Sequence, residues 1–210
     1  MKTKILLLSC FVAIVGLMSC QKDHINDLSP ADTAVFITNH DSTVNFSSYS
    51  TFSIPDSVAV ISNNQLVDRE KTAFDAQLIA AIAKNLSAKG FIRVPVQNKP
   101  DLGVTVSRIY NNYSEVVNYG DYWGYYDDYW DPWYWGYPGY SYYYPGSFGI
   151  YNITEGAIEI DMFDLKNATE NNNQLKYVWN GMIRGSSTFN NNMVDSSVAA
   201  LFRQSPYISK

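Results

Sequence analysis

Leu102-Gly103-Val104-Thr105-Val106-Ser107 sets an apolar side chain at every second position, with a small or polar residue between. Successive side chains of a strand point to opposite faces, so this stretch reads as a strand with one apolar face and one wet face. Ile158-Glu159-Ile160-Asp161-Met162 repeats the pattern with two acids on the second face. Tyr177, Trp179 and Ile183 line a third strand, interrupted by Gly181. Asn171-Asn172-Asn173 supplies the turn before it. Upstream, Ala34-Val35-Phe36-Ile37-Thr38 is a short strand, and Tyr49 to Ile54 is another that stops at Pro55.

Residues 69–89 carry a different period. Phe74, Leu78, Ala81, Ile82 and Leu86 recur three and four residues apart and predict an amphipathic helix. Asp68 can cap its start, and Glu70 suits the positive end of its dipole. At the other end Lys89 precedes Gly90, which accepts the left-handed conformation, and Phe91 can fold back on Leu86. A shorter helix runs from about Met193 to Gln204, with Val194, Val198, Leu201 and Phe202 on one face and Pro206 beyond. The order of elements predicts an α+β class: an antiparallel β-sheet with two helices packed on its apolar face.

The chain opens with Lys2 and Lys4, then an apolar run from Ile5 through Met18, then Leu17-Met18-Ser19-Cys20. Charge, apolar run and small residue in that order make a secretion signal. The run of about 14 residues is short for a membrane span, which needs roughly 20. Leu17 to Cys20 resembles the lipobox of bacterial lipoproteins. That resemblance implies removal of residues 1–19 as a signal peptide, a diacylglycerol on the Cys20 sulfur and a further acyl chain, such as palmitate, on its amine. One buried acyl chain holds a protein to a membrane only marginally, whereas several hold it stably. Gln21-Lys22-Asp23 resembles the export signal that sends some Gram-negative lipoproteins to the outer face of the outer membrane. His24 departs from the fuller acidic form of that signal, so the surface and the periplasmic leaflet both stay open.

The remainder divides simply. Residues 20–33 are a polar, lipidated tether, and residues 34–210 are long enough for one domain with one core. Loss of Lys2 and Lys4 with the signal takes the net charge from −5 to −7. An acidic, aromatic chain with no basic stripe argues against nucleic acid and against electrostatic adhesion to anionic lipid. Cys10 leaves with the signal and Cys20 becomes a thioether, so disulfides and thiol chemistry are excluded. With only two histidines, one of them in the tether, a histidine-rich metal site is not expected.

Several separated pieces carry a family resemblance. They are Val44-Asn45-Phe46-Ser47-Ser48-Tyr49-Ser50-Thr51-Phe52, the helix end Leu86-Ser87-Ala88-Lys89-Gly90-Phe91, and Pro100-Asp101-Leu102-Gly103-Val104. Ile158-Glu159-Ile160-Asp161 and Tyr177-Val178-Trp179-Asn180-Gly181 follow. In this order, over roughly residues 33–206, they resemble the domain-of-unknown-function family 4136 of bacterial envelope lipoproteins. The resemblance implies a fold and an envelope location. It transfers no activity.

Residues 119–151 form a Tyr/Trp/Gly-rich insertion loop in which about half the residues are aromatic. Long connections of this kind are usually functional or disordered. Three readings fit. The rings cover the sheet or one another, with hydroxyls left in water. Or they form an adhesive surface for an envelope protein or a glycan, because Tyr, Trp, Ser and Gly give large contact area at low entropic cost. Or they sit at the membrane interface beside the anchor, as aromatic belts do, against which the four acids of the loop count. The candidate ligand contacts are Trp123, Trp130, Trp133 and Trp135, with Asp127, Asp128 and Asp131 as hydroxyl acceptors. The three acids match no calcium-loop spacing and read as solvated charges.

Glu159 and Asp161 alternate on the expected wet face, where acids belong without any catalytic role. No nucleophile-elbow pattern and no phosphate-binding glycine loop is present. The expectation is a non-enzymatic, lipid-anchored outer-membrane protein of a Gram-negative bacterium, without cofactor or metal, that acts through contacts with envelope components. The alternative is a glycan- or peptidoglycan-binding module built on residues 119–151.

Overall fold

The structure, a computed structural model, describes residues 34–63, 65–110, 132–143, 156–185 and 188–210. The expected signal peptide (residues 1–19), Cys20 and the expected tether lie outside the described residues, as do Trp123, Asp127, Asp128, Trp130 and Asp131.

Among the described residues nine strands form one sheet, and two α-helices accompany it. The strands are β1 (Val35–His40), β2 (Thr51–Ser53), β3 (Val58–Ser62), β4 (Gln65–Glu70), β5 (Ile92–Arg93), β6 (Leu102–Tyr110), β7 (Ser141–Tyr143), β8 (Ala157–Asp164) and β9 (Gln174–Arg184). The main order is β1-β9-β8-β6-β2-β5. β3 also pairs with β6 and carries β4 as a hairpin, while β7 pairs with the start of β9. The antiparallel expectation holds for the central pairs β6–β8, β8–β9 and β9–β1. It holds also for the β3–β4 hairpin and fails elsewhere: β2 and β3 run parallel to β6, β5 parallel to β2, and β7 parallel to β9. The sheet is therefore mixed. For the pairs of β2, β3, β5 and β6 the physical reason is the helix α1 (Ala73–Ala88), which lies in the chain between β2–β4 and β5–β6; between β7 and β9 the chain crosses over through β8. Parallel neighbours need a crossover, and a helix is the usual one.

α1 starts later than its periodicity predicts. Residues 65–70 belong to the β4 strand instead, and Glu70 pairs there with Arg108. The cap is Thr72, not Asp68. The Asp75 N–H donates to Thr72 Oγ1 at 3.2 Å, and the Thr72 N–H donates back to Asp75 Oδ2 at 2.8 Å, a capping box. The far end follows the sequence. Gly90 has φ +96°, its N–H donates to the Ser87 carbonyl, and the Phe91 N–H donates to the Leu86 carbonyl, the Schellman pattern.

α1 and the second helix, α2 (Val194–Gln204), bury their apolar faces on one side of the sheet, as expected. Leu78, Ile82, Leu86, Val198, Leu201 and Phe202 meet Val104, Val106, Ile158, Ile160 and Trp179 there. Trp179 explains Gly181. Its ring stacks on Phe202 at 5.5 Å and lies over the glycine, where a Cβ would come within 2.2 Å of Cη2. Trp179 Nε1 donates to Ser205 Oγ at 2.9 Å, which satisfies the buried indole.

The opposite face departs from the wet face expected of it. Thr105, Ser107, Glu159 and Asp161 project there and are at most 1% exposed. At the β7 end the same face holds a second core of Phe163, Leu165, Ala168, Leu175, Tyr177 and Trp135. Both faces of the sheet are covered.

Candidate functional site

The described part of the aromatic segment begins with a short 3₁₀ turn at Pro132–Trp135 and ends in β7. It packs on the second face of the sheet. Trp135 is 5% exposed and meets Phe163 edge to face at 5.0 Å. Tyr142 meets Phe163 at 5.4 Å and Tyr177 at 5.6 Å. The Tyr137 hydroxyl donates to the Leu165 carbonyl at 2.7 Å, and burial raises its pKa. Within residues 132–143, then, most rings cover the sheet, and one hydroxyl at least is satisfied by protein and not by water. Phe163 is the hinge of this contact. It stands over Gly103, its partner in register, where a Cβ would come within 2.2 Å of the ring.

Two candidate contacts fall among the described residues, and they behave oppositely. Trp135 is a core residue. Trp133, two positions earlier, is 70% exposed. Tyr134 lies between them, 40% exposed, and packs edge to face on Trp135 at 4.8 Å. A buried indole thus fixes an exposed tyrosine.

Tyr134 borders a cleft of about 580 Å³. One wall is the end of β2 and its continuation, Ser53-Ile54-Pro55-Asp56, and the other is Arg93-Val94-Pro95-Val96-Gln97 beyond β5. The sheet brings these walls together, because β5 pairs with β2. Arg93 Nη2 donates to the Ile54 carbonyl at 3.1 Å, which ties one wall to the other. Asp56 lies at the rim and accepts from Lys71 Nζ at 2.5 Å, which helps hold its carboxyl below the usual range. Burial raises the Tyr134 pKa, with the Asp56 charge adding to it, so its hydroxyl stays protonated and able to donate. None of the cleft residues outside the aromatic segment carries a sequence motif; only the fold assembles them.

The buried polar groups form a second cluster. Asn180 on β9 sits opposite Asp161 in register. Its Nδ2 donates to Asp161 Oδ1 at 2.7 Å and to Glu159 Oε1 at 2.9 Å. Burial, followed by the neighbouring Glu159 charge, holds the Asp161 carboxyl well above its usual range, against the Asn180 hydrogen bond. Two neighbouring carboxyls can pass a proton only where solvent or substrate reaches them. These two, at 1% exposure, are sealed from solvent. On the other face Arg108 lies under α1. Its Nε meets Asp75 Oδ1 at 2.9 Å, Nη2 donates to Glu70, and Nη1 donates to the Tyr110 hydroxyl at 2.5 Å. A charged residue in phase with Val104 and Val106 was a legible sign that the apolar face contained an ion pair.

Among the described residues no helix is long and apolar enough to cross a membrane. No group of three His, Cys, Asp or Glu side chains among them is placed to hold a metal ion.

Comparison with known proteins places this architecture. The crystal structure of a DUF4136 family protein from Bacteroides thetaiotaomicron superposes with a TM-score of 0.70 at 29% identity, over 85% of this chain and 98% of that one. A PDZ domain protein from Parabacteroides distasonis gives a TM-score of 0.46 at 15% identity, over 85% of this chain and 37% of that one. PelC from Paraburkholderia phytofirmans, solved as a dodecamer, gives 0.39 at 10% identity, over 84% and 98%. At these values neither of the last two bears on the fold. No curated protein matches the sequence. The model of the family described as Domain of unknown function (DUF4136) matches residues 37–207, and the chain belongs to that family.

Proposed function

We propose that this protein is a lipid-anchored, non-catalytic lipoprotein of the Gram-negative outer membrane, and that its folded domain works by contact with other envelope components. Cys20 is the acylated residue, and residues 21–33 are the tether. The observation that carries the contact role is Trp133: an indole 70% exposed, on a turn fixed by the buried Trp135. Large rings held rigidly at a surface are typical of interaction sites, because they bury much area and lose little freedom on binding. The acids that would serve in acid–base chemistry, Glu159 and Asp161, are buried instead.

The test has two arms. Cells expressing the wild type and Cys20→Ser are labelled with radioactive palmitate and fractionated. The wild type takes the label and stays with the outer membrane; the variant does neither. Protease shaving of intact cells then assigns the leaflet. In the second arm a photo-crosslinking side chain replaces Trp133. A reproducible adduct to an envelope component supports the contact role, and an unlabelled, freely soluble wild type refutes the anchor.

A further inference from the structure

We propose that the cleft between residues 53–56 and 93–97, capped by Tyr134, binds a saccharide chain. The inference rests on the contact role proposed above and names the class of ligand for it. At about 580 Å³ the cleft falls within the range of small-ligand sites. Its chemistry is mixed in a particular way. Apolar groups line it through Ile54, Pro55, Val94, Pro95 and Val96. Planar hydrogen-bonding side chains enter from both walls: Asp56, Arg93 and Gln97. An aromatic ring, Tyr134, closes it, and the exposed Trp133 precedes that residue on the same turn.

A sugar ring asks for this combination. Its C–H face is apolar and lies flat on an aromatic ring. Its equatorial hydroxyls point sideways in adjacent pairs, which carboxylate, guanidinium and amide groups bridge two at a time. The platform is preorganised, because Trp135 anchors Tyr134 from beneath at 4.8 Å. Arg93 is likewise held, and its bond to the Ile54 carbonyl uses one of the five donors of the guanidinium. The charges favour a neutral ligand. Asp56 answers Lys71, and among the described residues Arg93 is the one remaining cationic group of the lining, too little for a phosphate-rich chain. An apolar peptide would displace water from Asp56, Arg93 and Gln97 without replacing its hydrogen bonds, which costs affinity.

The experiment uses the full lipidated chain in detergent micelles. It is titrated with chitotetraose, a soluble β-glucan oligomer and lysozyme-released peptidoglycan fragments, read by calorimetry. The expected result is saturable binding to at least one of these. Trp133→Ala and Tyr134→Ala each weaken it tenfold or more, and Gln97→Ala weakens it severalfold. Thermal midpoints check folding. Trp133 is so exposed that its variant keeps the wild-type midpoint, so lost binding there reports the site. Flat titrations with all three probes, or binding indifferent to Trp133→Ala, overturn the proposal. If the probe at position 133 crosslinks a protein while the titrations stay flat, the ligand is a protein, and only the saccharide inference falls. If neither occurs, the contact role falls with it.

Discussion

Gly103 and Phe163 give the sharpest test of how the aromatic segment is held. A methyl at position 103 would lie 2.2 Å from Phe163 Cε2 and 2.5 Å from Cζ. Ordinary contact begins at 3.4 Å, so the ring must retreat by about 1.2 Å. It has little room to do so, because Trp135, Tyr142 and Tyr177 surround it with ring centres 5.0, 5.4 and 5.8 Å away. Forcing an extra methyl into such packing costs about 1–3 kcal/mol. For a domain of this size that lowers the thermal midpoint by roughly 2–12 °C. Phe163→Ala removes the ring instead and leaves a cavity, at about 3–5 kcal/mol. The decisive variant carries both changes. With the ring gone, the methyl at 103 has space, so the double variant should be more stable than the two separate costs imply. The expected coupling is about 1–3 kcal/mol, measured as a double-mutant cycle by circular dichroism in urea. Strict additivity, or an unaltered midpoint for Gly103→Ala alone, would mean that the ring does not stand over the glycine and that the segment is attached some other way.

Three further outcomes follow from buried groups and one cap. Arg108→Met removes the partner of Asp75 Oδ1 in a site where Asp75 is fully buried, and should cost about 3–5 kcal/mol in chemical denaturation. Adding Asp75→Asn to that variant should restore part of the loss, and a further loss would contradict the ion-pair account. Asp161→Asn should stabilise the protein at pH 7 by roughly 1–3 kcal/mol, since a neutral amide replaces a carboxyl that burial and the Glu159 charge keep from ionising easily. The sign follows from the raised folded pKa: the stability contribution of Asp161 is complete below the unfolded carboxyl pKa near ~3.9 and is lost as pH rises through the folded value, so the advantage of the variant should shrink toward zero in acid. A constant difference from pH 3 to pH 8 would count against it. Gly90→Val forces a branched residue into φ +96° with its Cβ about 3.1 Å from that of Lys210, and should lower stability by about 1 kcal/mol or more. A neutral result would show that the helix end can rearrange.

Local signals carried much of the fold. The α1 stripe, its glycine stop, the three central strands and α2 are legible because each shows a period or a cap within a few residues. The β3–β4 hairpin is not. Val58-Ala59-Val60-Ile61 is a buried apolar run without alternation, and Gln65–Glu70 is a largely exposed strand whose polar residues show no pattern. Strand direction was not legible either, because parallel and antiparallel neighbours share the same alternation. The cleft lies further still from the sequence. Its walls are separated by the whole of β3, β4 and α1, and only the β2–β5 pairing joins them.

The second face of the sheet shows where alternation stops being informative. A period of two says that the faces differ, not that one of them meets water. The residues on that face already argued for cover. Gly103, Thr105 and Ser107 are small, as positions are where something packs closely above, and the residue after Asp161 on the same face is Phe163. A wet face has no need of small residues and does not gain from an aromatic one. Two acids with one amide between them fit a covered face when ionisation of one is opposed, as burial and the Glu159 charge oppose it at Asp161. Glu159, Asp161 and Asn180 are thus interior groups, hydrogen-bonded to one another across β8 and β9. Toward solvent the described chain presents the exposed Trp133 and a cleft bordered by Tyr134.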